Sequence, residues 1–128
     1  MHNTVVVHFL DGKLLKGTAN DFFPARPSFH LNEDGTGTVT EIQFEGLKAM
    51  FFVKSLVGDT TRQDNQDSER TGFGRRIMVS FQDGETIHGY TSGYAPNRPT
   101  FFVFPADPES NNEKIFVIAS AATDVRFE

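Results

Sequence analysis

The sequence contains no cysteine. Disulfide staples, thiolate nucleophiles and thiolate metal ligands are thereby excluded, and the redox compartment is left open. Long apolar runs are also missing, so nothing approaches the length of a membrane span. The opening residues, Met1-His2-Asn3-Thr4-Val5, lack the basic stretch, apolar core and cleavage site of a secretory leader. A soluble cytoplasmic protein without a membrane partner is therefore expected. Positive charge is scarce: 12 Lys and Arg face 17 Asp and Glu, for a net charge of −5. That balance opposes non-specific attraction to phosphate backbones or anionic lipid, and nucleic acid is not an expected partner.

Catalytic signatures are missing too. There is no Gly-x-Ser-x-Gly elbow. Gly72-Phe73-Gly74-Arg75-Arg76 lacks the Gly and Lys spacing of a phosphate loop, and a strand follows it where a helix would be needed. The four histidines, His2, His8, His30 and His88, have no metal-ligand spacing, and the acidic residues gather in loops. No enzyme, no metal and no cofactor are expected.

What the chain has in quantity is phenylalanine, 14 residues within a hydrophobic fraction of 38%. That suffices for a globular core. At 128 residues the chain is one ordinary domain or two small ones. An internal repeat favours two halves. Phe23-Pro24-Ala25-Arg26-Pro27-Ser28-Phe29 returns as Ala95-Pro96-Asn97-Arg98-Pro99-Thr100-Phe101, 72 positions on, from Pro24 to Pro96. At the same spacing Val7, Phe9, Asp11, Gly12 and Gly17 meet Val79, Phe81, Asp83, Gly84 and Gly89. Each half alone would bury only a marginal core, so the halves should pack together.

Residues 5–10 are β-branched and apolar and end at Asp11-Gly12, a hairpin signal, with 13–19 as the return strand. Gly17 inside that strand marks a bulge or sharp bend of the kind small barrels require. The Phe-Pro-Ala-Arg-Pro segment is a loop, because its two prolines remove two ladder donors. Strands at 28–32, 38–44 and 47–53 complete a first unit over residues 1–54, although 47–50 also suits a helical turn. Residues 55–75 contain the run 59–70 with no apolar residue, which reads as a polar linker. The second unit, 76–128, repeats the plan at 77–81, 85–91, 100–104, 114–119 and 124–127, with a single helical turn at 119–122. The expected fold class is all-β: two tandem five-stranded barrels packed with pseudo-two-fold symmetry.

Alternating apolar residues before Asp11-Gly12, Gly17 in the following strand, and a short last strand after Phe44-Glu45-Gly46 together resemble the Sm-like small barrel. Glu45 stands where that family has an Arg that binds RNA bases. Over its whole length the chain is also similar to an uncharacterised bacterial family of PilZ/Sm-like barrels, which carry this Phe-Asp-Gly, Gly-Tyr and Pro-x-Arg-Pro pattern. The resemblance implies a regulatory setting and no established chemistry. A non-catalytic bacterial regulatory or interaction module is therefore expected, binding a protein partner or a small signalling ligand, with a PilZ-like cyclic-dinucleotide receptor and an Sm-like nucleic-acid-binding protein as the alternatives the resemblance implies. Self-association is an equally open use of its surface.

The candidate site residues are the paired loop arginines, Arg26 and Arg98, with Phe22 and Tyr94. Guanidinium groups could hold a small anion while the aromatics stack on its planar part, or each could simply lock its own proline-rich turn. A second set is Arg70, Arg75 and Arg76, where PilZ proteins carry arginines that bind a cyclic dinucleotide; read plainly, these residues form a solvated basic hinge. The doublets Phe51-Phe52 and Phe101-Phe102 put adjacent rings on opposite strand faces, so one of each pair must lie outside its own core. Contact between the halves or with another chain would absorb it, as would an aromatic ligand groove. His8 is expected half-buried on a strand, and His30 is expected to fill space, since Phe102 takes its place in the second copy.

Overall fold

The computed structural model describes residues 3–57, 61 and 63–128. Ten strands carry the chain: β1 (Asn3–Phe9), β2 (Leu14–Ala19), β3 (Ser28–Glu33), β4 (Val39–Gln43), β5 (Leu47–Val53), β6 (Arg75–Phe81), β7 (Thr86–Thr91), β8 (Thr100–Pro105), β9 (Asn112–Ile118) and β10 (Ala122–Phe127). A 3₁₀ turn at Ala119–Ala121 precedes β10, where a helical turn was expected, while residues 47–50 are strand. The class is all-β. No helix among the described residues is long and apolar enough to cross a membrane.

The strands make one antiparallel sheet in the order β10-β6-β7-β8-β9-β5-β1-β2-β3-β4. The sets β5-β1-β2-β3-β4 and β10-β6-β7-β8-β9 run in the same relative order. Their first hairpins are closed alike, Phe9 N–H donating to Lys13 O and Phe81 N–H to Glu85 O, both at 2.9 Å. Gly12 and Gly84 turn those hairpins at φ of 92° and 91°, in the left-handed region that glycine enters without a Cβ penalty.

Gly17 and Gly89 act through space. Neither has a positive φ, but a Cβ on Gly17 would lie 2.1 Å from the Asn32 carbonyl oxygen, and one on Gly89 would lie 2.1 Å from that of Phe104. The next strand's backbone crosses directly over each glycine, and no side chain fits between.

Two expectations are corrected. The first is the pair of closed barrels. Among the described residues no ladder joins β4 to β5 or β9 to β10, so neither set closes on itself and the ten strands share one open sheet. The second is the pseudo-two-fold packing. In a two-fold contact every strand pair has its reciprocal, so β5–β9 would require β10–β4, and no such ladder exists among the described residues. Here β5, last in the first set, pairs with β9, fourth in the second, with Ala49 opposite Val117 and Phe51 opposite Ile115. The junction is head-to-tail.

This junction explains the phenylalanine doublets. All seven positions of β5 are buried. Met50 and Phe52 stand opposite Val7 and Val5 and share their face. Ala49 and Phe51 point the other way, beside Val117 and Ile115. A strand covered on both faces loses its alternation and reads as a continuous apolar run.

The polar stretch between the sets is also laid down on the second one. Asn65 N–H donates to Asp107 Oδ2 at 2.8 Å, and Arg70 Nη1 donates to Pro105 O at 2.9 Å. Arg76 Nη1 and the Tyr90 hydroxyl both reach Ser68 O, at 3.3 and 3.2 Å. The expected solvated hinge is therefore corrected to a strap over β6, β7 and the end of β8. Gly58, Asp59, Thr60 and Arg62 of the predicted linker, like His2 of the histidine set, lie outside the described residues.

Candidate functional site

Each proline-rich loop folds into a turn because its prolines fix φ and cannot join a ladder. Arg26 N–H donates to Phe23 O and Arg98 N–H to Ala95 O, both at 3.0 Å. The β5–β9 junction then brings the two loops together. Pro24 and Ala25 of the first loop and Arg98 and Pro99 of the second rim a cleft of about 520 Å³. Its floor is aromatic, with Phe101, Phe102, Phe104 and Phe116, and Lys114 of β9 lies at its edge. An adjoining cleft of about 510 Å³ takes Arg26, Pro27, Phe44 and Glu45 on one side and Pro99, Thr100 and Ile118 on the other.

Lys114 Nζ stands 4.9 Å from the ring centres of both Phe52 and Phe102. This is cation–π geometry, in which a cation faces the negative side of the ring. Arg98 Nη1 donates to Gly93 O at 2.8 Å, which holds its guanidinium at the rim. Among the described residues neither cation is paired with a carboxylate.

The structure thus gathers part of the predicted set. Arg98 lines the first cleft and Arg26 the second. Arg26 stacks on Phe23, 4.7 Å from the ring centre, and Phe22 is turned inward. Phe22 is the hub of an aromatic cluster, with centroids 5.6 Å from Phe29, 5.7 Å from Phe44, 5.4 Å from Phe52 and 5.0 Å from Phe116. Tyr94, its counterpart, packs on Phe101 at 4.8 Å and Phe127 at 5.7 Å. Both support the loops from beneath and line neither cleft. Lys114 was missed in the sequence, since a lone lysine in a strand reads as a solvent-facing residue.

Arg70, Arg75 and Arg76 have three separate sets of partners. Arg70 lies 3.9 Å over Phe73 and bonds Pro105 O; Arg75 lies 3.9 Å over Phe127. Arg76 bonds Ser68 O and the Tyr90 hydroxyl and stands 3.8 Å from both Asp67 and Glu128. The donors of Arg70 and Arg76 are directed at the protein itself, while exposed Arg75 only stacks its guanidinium on a ring.

His30 is corrected from a space-filling residue to an exposed one. Its Nδ1 is 2.7 Å from Asp21 Oδ2 and its backbone N–H donates to Oδ1. The hydrogen bond to Asp21 raises the His30 pKa above its ordinary value and lowers that of Asp21. Among the described residues no cluster of histidine and acidic side chains could hold a metal ion.

His8 is half-buried as expected, tilted on Phe51 with centroids 4.3 Å apart. Burial lowers its pKa, partly countered by Glu85 and Asp83. The native state therefore binds the proton less readily than the unfolded chain. The stability that His8 contributes is complete above about pH 6.5 and drains away as pH falls from there towards the lowered native value. His30 works in the opposite sense, so the comparison must be between variants. Urea midpoints measured from pH 7.5 to 5.5 should fall more steeply for wild type than for His8→Phe, and parallel curves would show that the ring is not desolvated.

No curated protein and no solved structure matches the chain. A family model does, along the full span of residues 1–128, and it is described as a family of unknown function, DUF6982. The chain belongs to that family.

Proposed function

We propose that the protein is a non-catalytic binding module whose cleft between the paired loops takes an anionic ligand with a flat apolar part. One observation carries this reading: Arg98 and Lys114, without carboxylate partners among the described residues, flank a floor of phenylalanine rings. Apolar area supplies affinity and two cations select the charge, the usual division of labour in a small-molecule site. A signalling metabolite of bacterial regulation, taken up in the cytoplasm, fits this chemistry. The scaffold is read as a duplication of one bent, open five-stranded unit of Sm or PilZ kind. Equal strand order, equal hairpin closure and the crossings at Gly17 and Gly89 support that reading.

The test is a thermal-shift screen at low salt with mononucleotides, cyclic dinucleotides, aromatic carboxylates and short oligonucleotides. A ligand present at about 100 times its dissociation constant adds roughly 2.7 kcal/mol, several degrees in a chain this size. Arg98→Ala and Lys114→Ala should each weaken binding by about 10–100-fold, the worth of one hydrogen bond to a charged group. Arg76→Ala should leave affinity unchanged. A shift abolished by Arg70→Ala and Arg75→Ala but indifferent to Lys114 would move the site to the strap and sink this reading.

A further inference from the structure

The head-to-tail junction leaves two complementary edges unused. Among the described residues of the ten-stranded sheet, β10 pairs only with β6, and β4 only with β3. These are the counterparts of the strands that meet at the centre. Phe52 stands opposite Val5 as Phe127 stands opposite Ile77, so β10 corresponds to β5. Gln43 stands opposite Ser28 as Ile118 stands opposite Thr100, so β4 corresponds to β9. The β5–β9 contact is heterologous, and such a contact repeats from molecule to molecule unless something blocks it. We propose that β10 of one molecule pairs antiparallel with β4 of a second copy, continuing the sheet head-to-tail.

The internal ladder sets the register. Met50 faces Phe116, Phe51 faces Ile115 and Phe52 faces Lys114. Carried to the free edges, Val125 of one copy faces Glu41 of the next, Arg126 faces Thr40 and Phe127 faces Val39. Phe127 and Val39 are both large hydrophobics left open in the single chain, at 38% and 63% exposure. This register brings them opposite each other, where a cross-strand pair covers both. A sheet edge without a covering element is a template for another strand. Neither free edge carries a proline, the device that most directly blocks such pairing.

Sedimentation velocity of the full chain over a wide concentration range tests this. Species at multiples of the 14.3 kDa monomer, beyond a dimer, are expected, because a heterologous contact does not stop at two copies. Val39→Lys, at an exposed edge position that should not disturb folding, should return the protein to monomer. The register has its own readout in a chain that lacks cysteine. Thr40→Cys with Arg126→Cys should give a ladder of oxidised oligomers, whereas either substitution alone should stop at a dimer. A strictly monomeric wild type would overturn the proposal. So would oligomers that ignore Val39→Lys, or a double variant that stops at a dimer.

Discussion

Replacing Gly89 by alanine should destabilise the fold by about 3 kcal/mol, the upper range for forcing a methyl into a filled site. The added carbon would lie 2.1 Å from Phe104 O and 2.7 Å from Val103 Cγ1. The valine tip can turn away, but the carbonyl belongs to a strand that pairs with β7 through Gly89 itself, opposite Pro105. Relief requires β7 and β8 to part. Gly17→Ala should behave alike, since its obstacle is the backbone of Asn32 and Glu33. Gly12→Ala is the contrast: nothing lies near its Cβ, and the cost is that of a left-handed φ alone, about 1–2 kcal/mol. Urea unfolding of the three variants gives the comparison. A Gly89→Ala midpoint equal to wild type would mean that the strands do not cross there.

The second large effect concerns the charge at the head-to-tail junction. Lys48 lies on β5 with its side chain only 8% exposed. Its ammonium donates to Asp83 Oδ2 at 2.6 Å and to Glu85 Oε1, both at the β6–β7 hairpin of the other strand set. Asp83→Asn with Glu85→Gln should cost about 2–3 kcal/mol, because a nearly buried ammonium is left without a counter-charge. Lys48→Met should cost less, within about 1 kcal/mol, since both carboxylates are roughly half exposed and rehydrate once freed. Adding Lys48→Met to the double variant should recover most of the loss, and a triple variant as weak as the double would place the damage elsewhere. Acid should weaken the same contact through Asp83. The hydrogen bond from Lys48 lowers the Asp83 pKa below its ordinary value. That stability is present above about pH 4 and is lost as pH falls through the lowered native value.

The strands were legible because their turns are chemical. Asp11-Gly12 and Asp83-Gly84 allow little but a hairpin, and two prolines in each loop forbid a strand, so most boundaries fell within a residue or two of those observed. The junction was not legible. Leu47–Val53 looks apolar on both faces, which announces that it is buried twice but does not name its second partner. The site was half legible for a related reason. In Phe22-Phe23 the two rings point opposite ways, and a reading one residue out of step exchanges the ring in the core for the one beneath Arg26. Lys114 came into view only with the fold, because Phe52 and Phe102 reach it from strands far apart in the chain.

The β5–β9 ladder also dictates a schedule. A ribosome delivers residues 47–53 well before 112–118 exist, and until then β5 has an unpaired edge and an uncovered face. A short apolar segment with no proline in that state is the kind that seeds aggregation. The first half of the nascent chain must therefore remain shielded or only loosely collapsed, and the sheet assembles in one late step dominated by contacts distant in sequence. Such a step is slow, as folding through non-local contacts generally is.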